Sequence, residues 1–136
     1  MTNTASDTLA VVVEREMPFP SEKIWRALTQ PHLVQEWLMK NDFVPALAHR
    51  FELRGDWGTV QCQVLEIEPN KTLAYTWAAM GLDSVVTWTL TATAGGTLVR
   101  MEQSGFRQDQ QQAYQGAKFG WQQMFGKLEA VLAKLD

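Results

Sequence analysis

The chain has 136 residues, of which 20% are charged and 46% are Ala, Val, Ile, Leu, Met, Phe, Trp, Tyr or Cys. This composition is typical of a globular domain with a single core and excludes a disordered chain. A net charge of −3 offers no basic surface for nucleic acid, and Cys62, as the only cysteine, excludes an internal disulfide.

The first residues are polar and lack the basic start and apolar run of a signal peptide. No segment approaches the ~20 apolar residues that a membrane-spanning helix needs. We therefore expect a polar N-terminal tail over residues 1–8, a single domain over residues 9–136, and a cytoplasmic protein.

A strand and two short helices are predicted next. The valine-rich segment from Leu9 to Met17 is typical of a strand, and the prolines that follow it end that strand. Ser21 is a favourable N-cap for a helix, and Pro31 suits the first turn of a second helix. Apolar residues recur at helical spacing in both helices. They are Ile24, Trp25 and Leu28 in the first and Leu33, Val34, Trp37 and Leu38 in the second.

Five further strands are predicted where apolar residues alternate with polar ones. Short turns join these strands, so neighbours must be mostly antiparallel, because a parallel pair needs a longer crossover. Polar partners such as Gln61 and Thr87 indicate that one face of the sheet meets water. The apolar residues are Phe51 and Leu53, then Val60, Cys62 and Val64, then Leu73, Tyr75 and Trp77, then Val86, Trp88 and Leu90, and finally Val99 and Met101.

A long C-terminal helix is predicted to cover the other face of the sheet. Asp109, followed by Gln112 three residues later, resembles a capping box. The apolar residues beyond it fall on one side of a helix that nearly reaches Asp136. They are Tyr114, Ala117, Trp121, Met124, Phe125, Leu128, Val131, Leu132 and Leu135. The order of the elements is that of an α+β fold.

Five segments in this order resemble a known superfamily, the SRPBCC or START-like helix-grip proteins, which include START lipid-transfer domains and birch-pollen-allergen proteins. Within it, the chain is most similar to bacterial homologues of the activator of the heat-shock-protein-90 ATPase. The resemblance implies a curved antiparallel six-stranded sheet, with two short helices after strand 1 and a long C-terminal helix packed on the sheet. The segments are Glu14 to Leu38, Gly58 to Trp77, Val86 to Leu90, Gly96 to Phe106 and Gly120 to Leu128.

The leading functional hypothesis is non-enzymatic binding of a small hydrophobic molecule between the sheet and the C-terminal helix. Pockets of this kind are lined by apolar side chains with a few polar groups. The candidate lining residues are Trp37, Phe43, Phe51, Tyr75, Trp77, Trp88, Met101, Gln103, Tyr114, Trp121 and Phe125. Tyr75, Gln103 and Tyr114 are the candidate hydrogen-bonding groups among them. The alternative is that these aromatic residues simply form the core.

Two other functions stay open. The family resemblance implies a chaperone-associated protein-interaction module, with a link to the stress response, and Trp57 in a turn is a candidate contact. A cyclase-like or hydratase-like enzyme would need polar groups such as Arg100 and Glu102, but strand alternation places both towards solvent.

No catalytic residue, cofactor or metal site is expected. His32 and His49 lack metal-ligating neighbours at suitable spacing, and Cys62 has no basic neighbour to activate its thiol. The sequence is compatible with a monomer or a homodimer.

Overall fold

The computed structural model describes residues 8–135, in which one antiparallel sheet is covered on one face by three helices. The predicted N-terminal tail lies outside the described residues, except for Thr8, which belongs to the first strand. The elements are β1 (Thr8–Met17), α1 (Ser21–Thr29), α2 (Pro31–Trp37), β2 (Lys40–Asn41), β3 (Arg50–Gly55), β4 (Gly58–Glu68), β5 (Thr72–Ala79), β6 (Leu82–Thr93), β7 (Gly96–Arg107) and α3 (Gln111–Lys134).

The sheet order is β1-β7-β6-β5-β4-β3-β2, and every neighbouring pair is antiparallel. Strands β2 to β7 therefore form a continuous meander, and β1 adds to its far edge. The predicted α+β architecture, with two short helices after the first strand and a long C-terminal helix, is confirmed.

The prediction of six strands was wrong, because the described residues contain seven. The additional strand, β2, has only two residues, Lys40 and Asn41, which pair with Arg54 and Leu53. A strand this short has no alternating apolar pattern, so the sequence carries no signal for it.

The core lies between the sheet and the helices and includes the predicted alternating residues of β3 to β7. The large side chains of Trp37, Trp88 and Trp121 are each at most 2% exposed, and they join the helices to the sheet in one cluster. Polar residues such as Gln61 and Thr87 lie on the opposite, more exposed face, as predicted. Within residues 8–135, no helix is long and apolar enough to cross a membrane.

Both predicted side-chain caps were wrong. α1 begins at Ser21 itself, and the Ser21 hydroxyl lies 3.1 Å from the Thr97 hydroxyl instead of capping the helix. α3 begins at Gln111 without a side-chain cap, while Asp109 forms an ion pair with Arg107 at 3.1 Å. In each case a polar partner outside the helix competes for the side chain that local sequence assigns to the cap.

A β-bulge at Gly105 changes the face of the sheet to which the last residues of β7 point. Leu9 of β1 pairs with Phe106, but the next residue, Ala10, pairs with Ser104, so Gly105 is the extra residue. The bulge shifts the alternation by one position. As a result, Phe106 points to the same side of the sheet as Gln103, and both are buried.

The bulge requires glycine at this position. Gly105 has φ +111°, and a Cβ atom there would lie 2.8 Å from the Asp83 carbonyl oxygen.

We expect Gly105→Ala to lower the free energy of unfolding by at least about 2 kcal/mol, measured by chemical denaturation. Gly126→Ala in α3 is the control, since a Cβ there meets no atom within 4 Å. That substitution should raise stability by about 0.5–1 kcal/mol, and equal effects of the two substitutions would contradict the assignment.

Candidate functional site

A cleft with a volume of about 420 Å³ lies between the first half of α3 and the adjoining ends of β5, β6 and β7. The turn between β3 and β4 contributes Trp57, and the turn between β5 and β6 contributes Met80. Both side chains are exposed, by 53% and 87% respectively, so they form the rim. The lining is mostly apolar: Trp57, Trp77, Ala79, Met80, Leu82, Phe106, Ala113, Gly116, Ala117, Gly120, Trp121 and Met124, with three glutamines, Gln103, Gln110 and Gln112.

Small residues on α3 create the space of the cleft. Ala113, Gly116, Ala117 and Gly120 follow the i, i+3, i+4, i+7 spacing of one helix face, and all four line the cleft. A Cβ atom at Gly116 would meet nothing within 4 Å, and one at Gly120 would meet only the Met124 methyl, at 3.7 Å. The first half of α3 therefore does not fill the space above the sheet.

The second half of α3 packs tightly. Its residues Trp121, Phe125, Leu128 and Leu132 are each at most 1% exposed. The Trp121 ring lies edge-on to the Trp88 ring, with 5.8 Å between centroids, and the Phe125 ring stacks on Trp88 at 5.5 Å. Trp121 thus marks the point along α3 where tight packing gives way to the cleft.

A chain of buried hydrogen bonds runs along the inner wall of the cleft. The Trp121 indole N–H donates to Gln103 Oε1 at 2.7 Å, and Gln103 Nε2 donates to the Ser84 hydroxyl at 3.0 Å. The Ser84 hydroxyl in turn donates to the Trp77 carbonyl oxygen at 2.9 Å. The indole can only donate and the carbonyl can only accept, so the two ends fix the orientation of the Gln103 amide.

The family described as activator of Hsp90 ATPase homolog 1-like protein matches residues 18–133, which is most of the chain. The chain belongs to this family.

Solved structures place this family member among helix-grip proteins. Protein MLL2253 from Mesorhizobium loti is 59% identical, with 94% of this chain and 99% of that one covered, and a TM-score of 0.91. DynU16, a protein of the dynemicin biosynthetic locus, is 26% identical, with 92% of this chain and 47% of that one covered, and a TM-score of 0.84. Protein BH1534 from Bacillus halodurans shares the fold at 24% identity, covering 91% and 96%, with a TM-score of 0.82. None of the curated proteins compared with the chain matches it.

The structure separates the eleven predicted lining residues into four groups. Trp77, Gln103 and Trp121 line the cleft, while Trp88, Met101 and Phe125 lie beneath it in the core, each at most 1% exposed. The third group surrounds a void of only about 10 Å³ near α2, too small for a ligand, and consists of Trp37, Phe43, Phe51 and Tyr75.

Tyr114 forms the fourth group, on the other flank of α3. Its hydroxyl lies 3.4 Å from the Ala10 carbonyl oxygen, beside β1. The three predicted polar groups therefore do not meet. Gln103 lines the cleft, Tyr114 faces β1, and the Tyr75 hydroxyl accepts a hydrogen bond from the Trp88 indole at 3.1 Å within the core.

The sequence interpretation missed the small residues of α3 that open the cleft. Their signal was present as a gap in large side chains between Tyr114 and Trp121, where the predicted apolar stripe contained only Ala117 and the neighbouring positions of that face are Gly116 and Gly120. Leu82 and Phe106 were also missed, the latter because the Gly105 bulge reverses its direction. Trp57, expected to be an exposed contact for a protein, lies on the rim of the cleft.

Arg100, Glu102 and Cys62, the groups considered for acid–base or nucleophilic chemistry, do not line the cleft. Arg100 and Glu102 form an ion pair at 3.0 Å on the opposite face of the sheet. Burial, and to a smaller extent the negative charge of Asp42, raises the pKa of the Cys62 thiol to about 12. The thiol therefore stays protonated and unreactive at neutral pH. Within residues 8–135, no three His, Cys, Asp or Glu side chains come together as metal ligands would.

The wall of the cleft depends on the buried hydrogen-bond chain. We expect Ser84→Ala to lower the free energy of unfolding by about 1–3 kcal/mol, because it leaves a buried N–H of the Gln103 amide without its acceptor. Ser104→Ala, on the neighbouring strand, is the matched control, and its effect should stay within about 0.5 kcal/mol. Denaturant titration of the two variants measures both values, and a loss no larger for Ser84→Ala than for Ser104→Ala would contradict this role.

Proposed function

We propose that this protein binds a small, mostly apolar molecule in the cleft between α3 and the sheet, without catalysing a reaction on it. The observation that carries the proposal is the pairing of a small-residue face on α3 with a wall of large apolar side chains. Gly116 and Gly120 leave the space, and Trp77, Phe106 and Trp121 border it.

The size of the cleft suits a small organic molecule. Ligand pockets commonly measure about 300–1,000 Å³, and the volume of about 420 Å³ lies in that range. That volume corresponds to a compact molecule rather than a long lipid chain.

The lining favours binding over catalysis. Among the residues of 8–135 that border the cleft, none has an ionisable side chain, so no group there could act as a general acid or base. The apolar wall would instead stabilise a ligand by removing its apolar surface from water, at roughly 25 cal/mol per Å². DynU16, which is 26% identical to this chain, comes from the dynemicin biosynthetic locus.

A protein-interaction function is the second proposal. It is supported by the family's likeness to the activator of Hsp90 ATPase and by the exposed side chains of Trp57 and Met80. Large exposed apolar residues of this kind often mark contacts with other proteins.

Filling the cleft tests the first proposal. We expect Gly116→Leu to abolish binding of uncharged polycyclic aromatic compounds, because the new side chain would occupy the space above the sheet. The variant should fold at least as stably as the wild type, since leucine favours a helix over glycine by about 0.8 kcal/mol. Thermal unfolding with and without each compound measures both effects.

Gly126→Leu is the matched control, because it makes the same exchange in α3 at an exposed position outside the cleft. It should raise helix propensity equally and leave ligand-induced stabilisation intact. If Gly116→Leu retained wild-type stabilisation by the compounds, the cleft would not be their site. Because Trp57 and Met80 remain in place in this variant, retained capture of a protein partner with lost ligand binding would separate the two functions.

A further inference from the structure

We infer that the ligand is uncharged and is held through a carbonyl, hydroxyl or amide group by a direct hydrogen bond to Gln103. This inference rests on the proposed binding in the cleft and adds to it the chemical class of the ligand and the residue that selects it. Gln103 is the buried polar residue of the cleft lining, only 2% exposed and at the inner wall. Gln110 is also held by two hydrogen bonds but is only half-buried, and Gln112 is exposed.

Gln103 retains unused hydrogen-bonding capacity. A glutamine amide has two N–H donors and two acceptor lone pairs. One donor is used by Ser84 and one lone pair by Trp121. The amide therefore has one further donor and one further acceptor, and its orientation is fixed by the partners at both ends of the chain. A ligand carbonyl could accept from Nε2, and a ligand hydroxyl or amide N–H could donate to Oε1.

Charge determines which polar groups can be accommodated. The residues that line the cleft include no Lys, Arg or His, so a ligand carboxylate would lose its hydration without gaining a positive partner. Nearby cations are already engaged: Arg107 is ion-paired with Asp109 at 3.1 Å, and Lys118 lies over the Tyr114 ring at 5.3 Å, on the other flank of α3.

Three probes of nearly equal shape test the inference: 2-naphthamide, 2-naphthoate and 2-isopropylnaphthalene. They present a neutral polar group, an anionic group and an apolar group on the same two-ring body. Equilibrium dialysis at pH 7 gives the dissociation constant of each, and the Trp121 indole N–H resonance reports whether each enters the cleft.

We expect the wild-type protein to bind 2-naphthamide at least about tenfold more tightly than 2-naphthoate. Gln103→Met should weaken 2-naphthamide binding by about fivefold to tenfold, the loss of one or two neutral hydrogen bonds, and change 2-isopropylnaphthalene binding by less than about twofold. Gln123→Met, at an exposed position of α3 outside the cleft, is the matched control and should leave all three constants unchanged.

The outcomes separate this inference from the proposed function. Equal or tighter binding of 2-naphthoate, or an equal loss for all three probes in Gln103→Met, would overturn the inference while leaving an apolar binding cleft. Failure of all three probes to bind would contradict the proposed function as well. If Gln103→Met does not fold, the wild-type preference for the amide over the carboxylate still decides the question.

Discussion

The contact of Trp121 with the sheet is the constraint on which the rest of the structure depends. The ring is buried against Trp77 and Trp88, with centroids 5.5 and 5.8 Å away, and its N–H is bound by Gln103 at 2.7 Å. Truncating a buried aromatic of this size costs about 3–5 kcal/mol. The ring packing and the hydrogen bond together fix both the height and the rotation of α3 over the strands.

Site and fold therefore share one set of interactions. Beyond Trp121 the helix presents large side chains to the core, whereas before it the positions that face the cleft are Ala or Gly, and Tyr114 packs beside β1 on the other flank. The tightly packed second half of α3 holds the first half above the strands, so a cleft forms between helix and sheet without a loop to build it. The bulge at Gly105 completes the wall by turning Phe106 inward beside Gln103. Because the core supports the binding site, most substitutions of its lining residues are expected to change both stability and ligand binding. A substitution at Gly116 is expected to weaken binding without lowering stability.

Sequence patterns predicted the parts of the structure that follow from periodicity. Alternation in β4 and spacing in α3 identify buried faces because each regular element repeats at a fixed interval. The two-residue β2, the absence of a Ser21 cap and the position of the cleft could not be predicted this way. Ser21 lies beside Thr97, which is 76 positions away in the chain. Likewise, the eleven candidate lining residues were predicted to point into one interior but do not share a location. That interior extends over the whole sheet, whereas the cleft opens only beside the part of α3 that precedes Trp121.

Amide hydrogen exchange along α3, resolved by NMR, tests most directly the claim that the second half of the helix is packed on the sheet more tightly than residues 115–120. Amides of residues 125–132 are expected to exchange only through global unfolding, whereas those of residues 115–120 should exchange through local opening at a much lower free energy. Equally slow exchange over both ranges would show that the first half also packs on the sheet, and would contradict the account of the cleft.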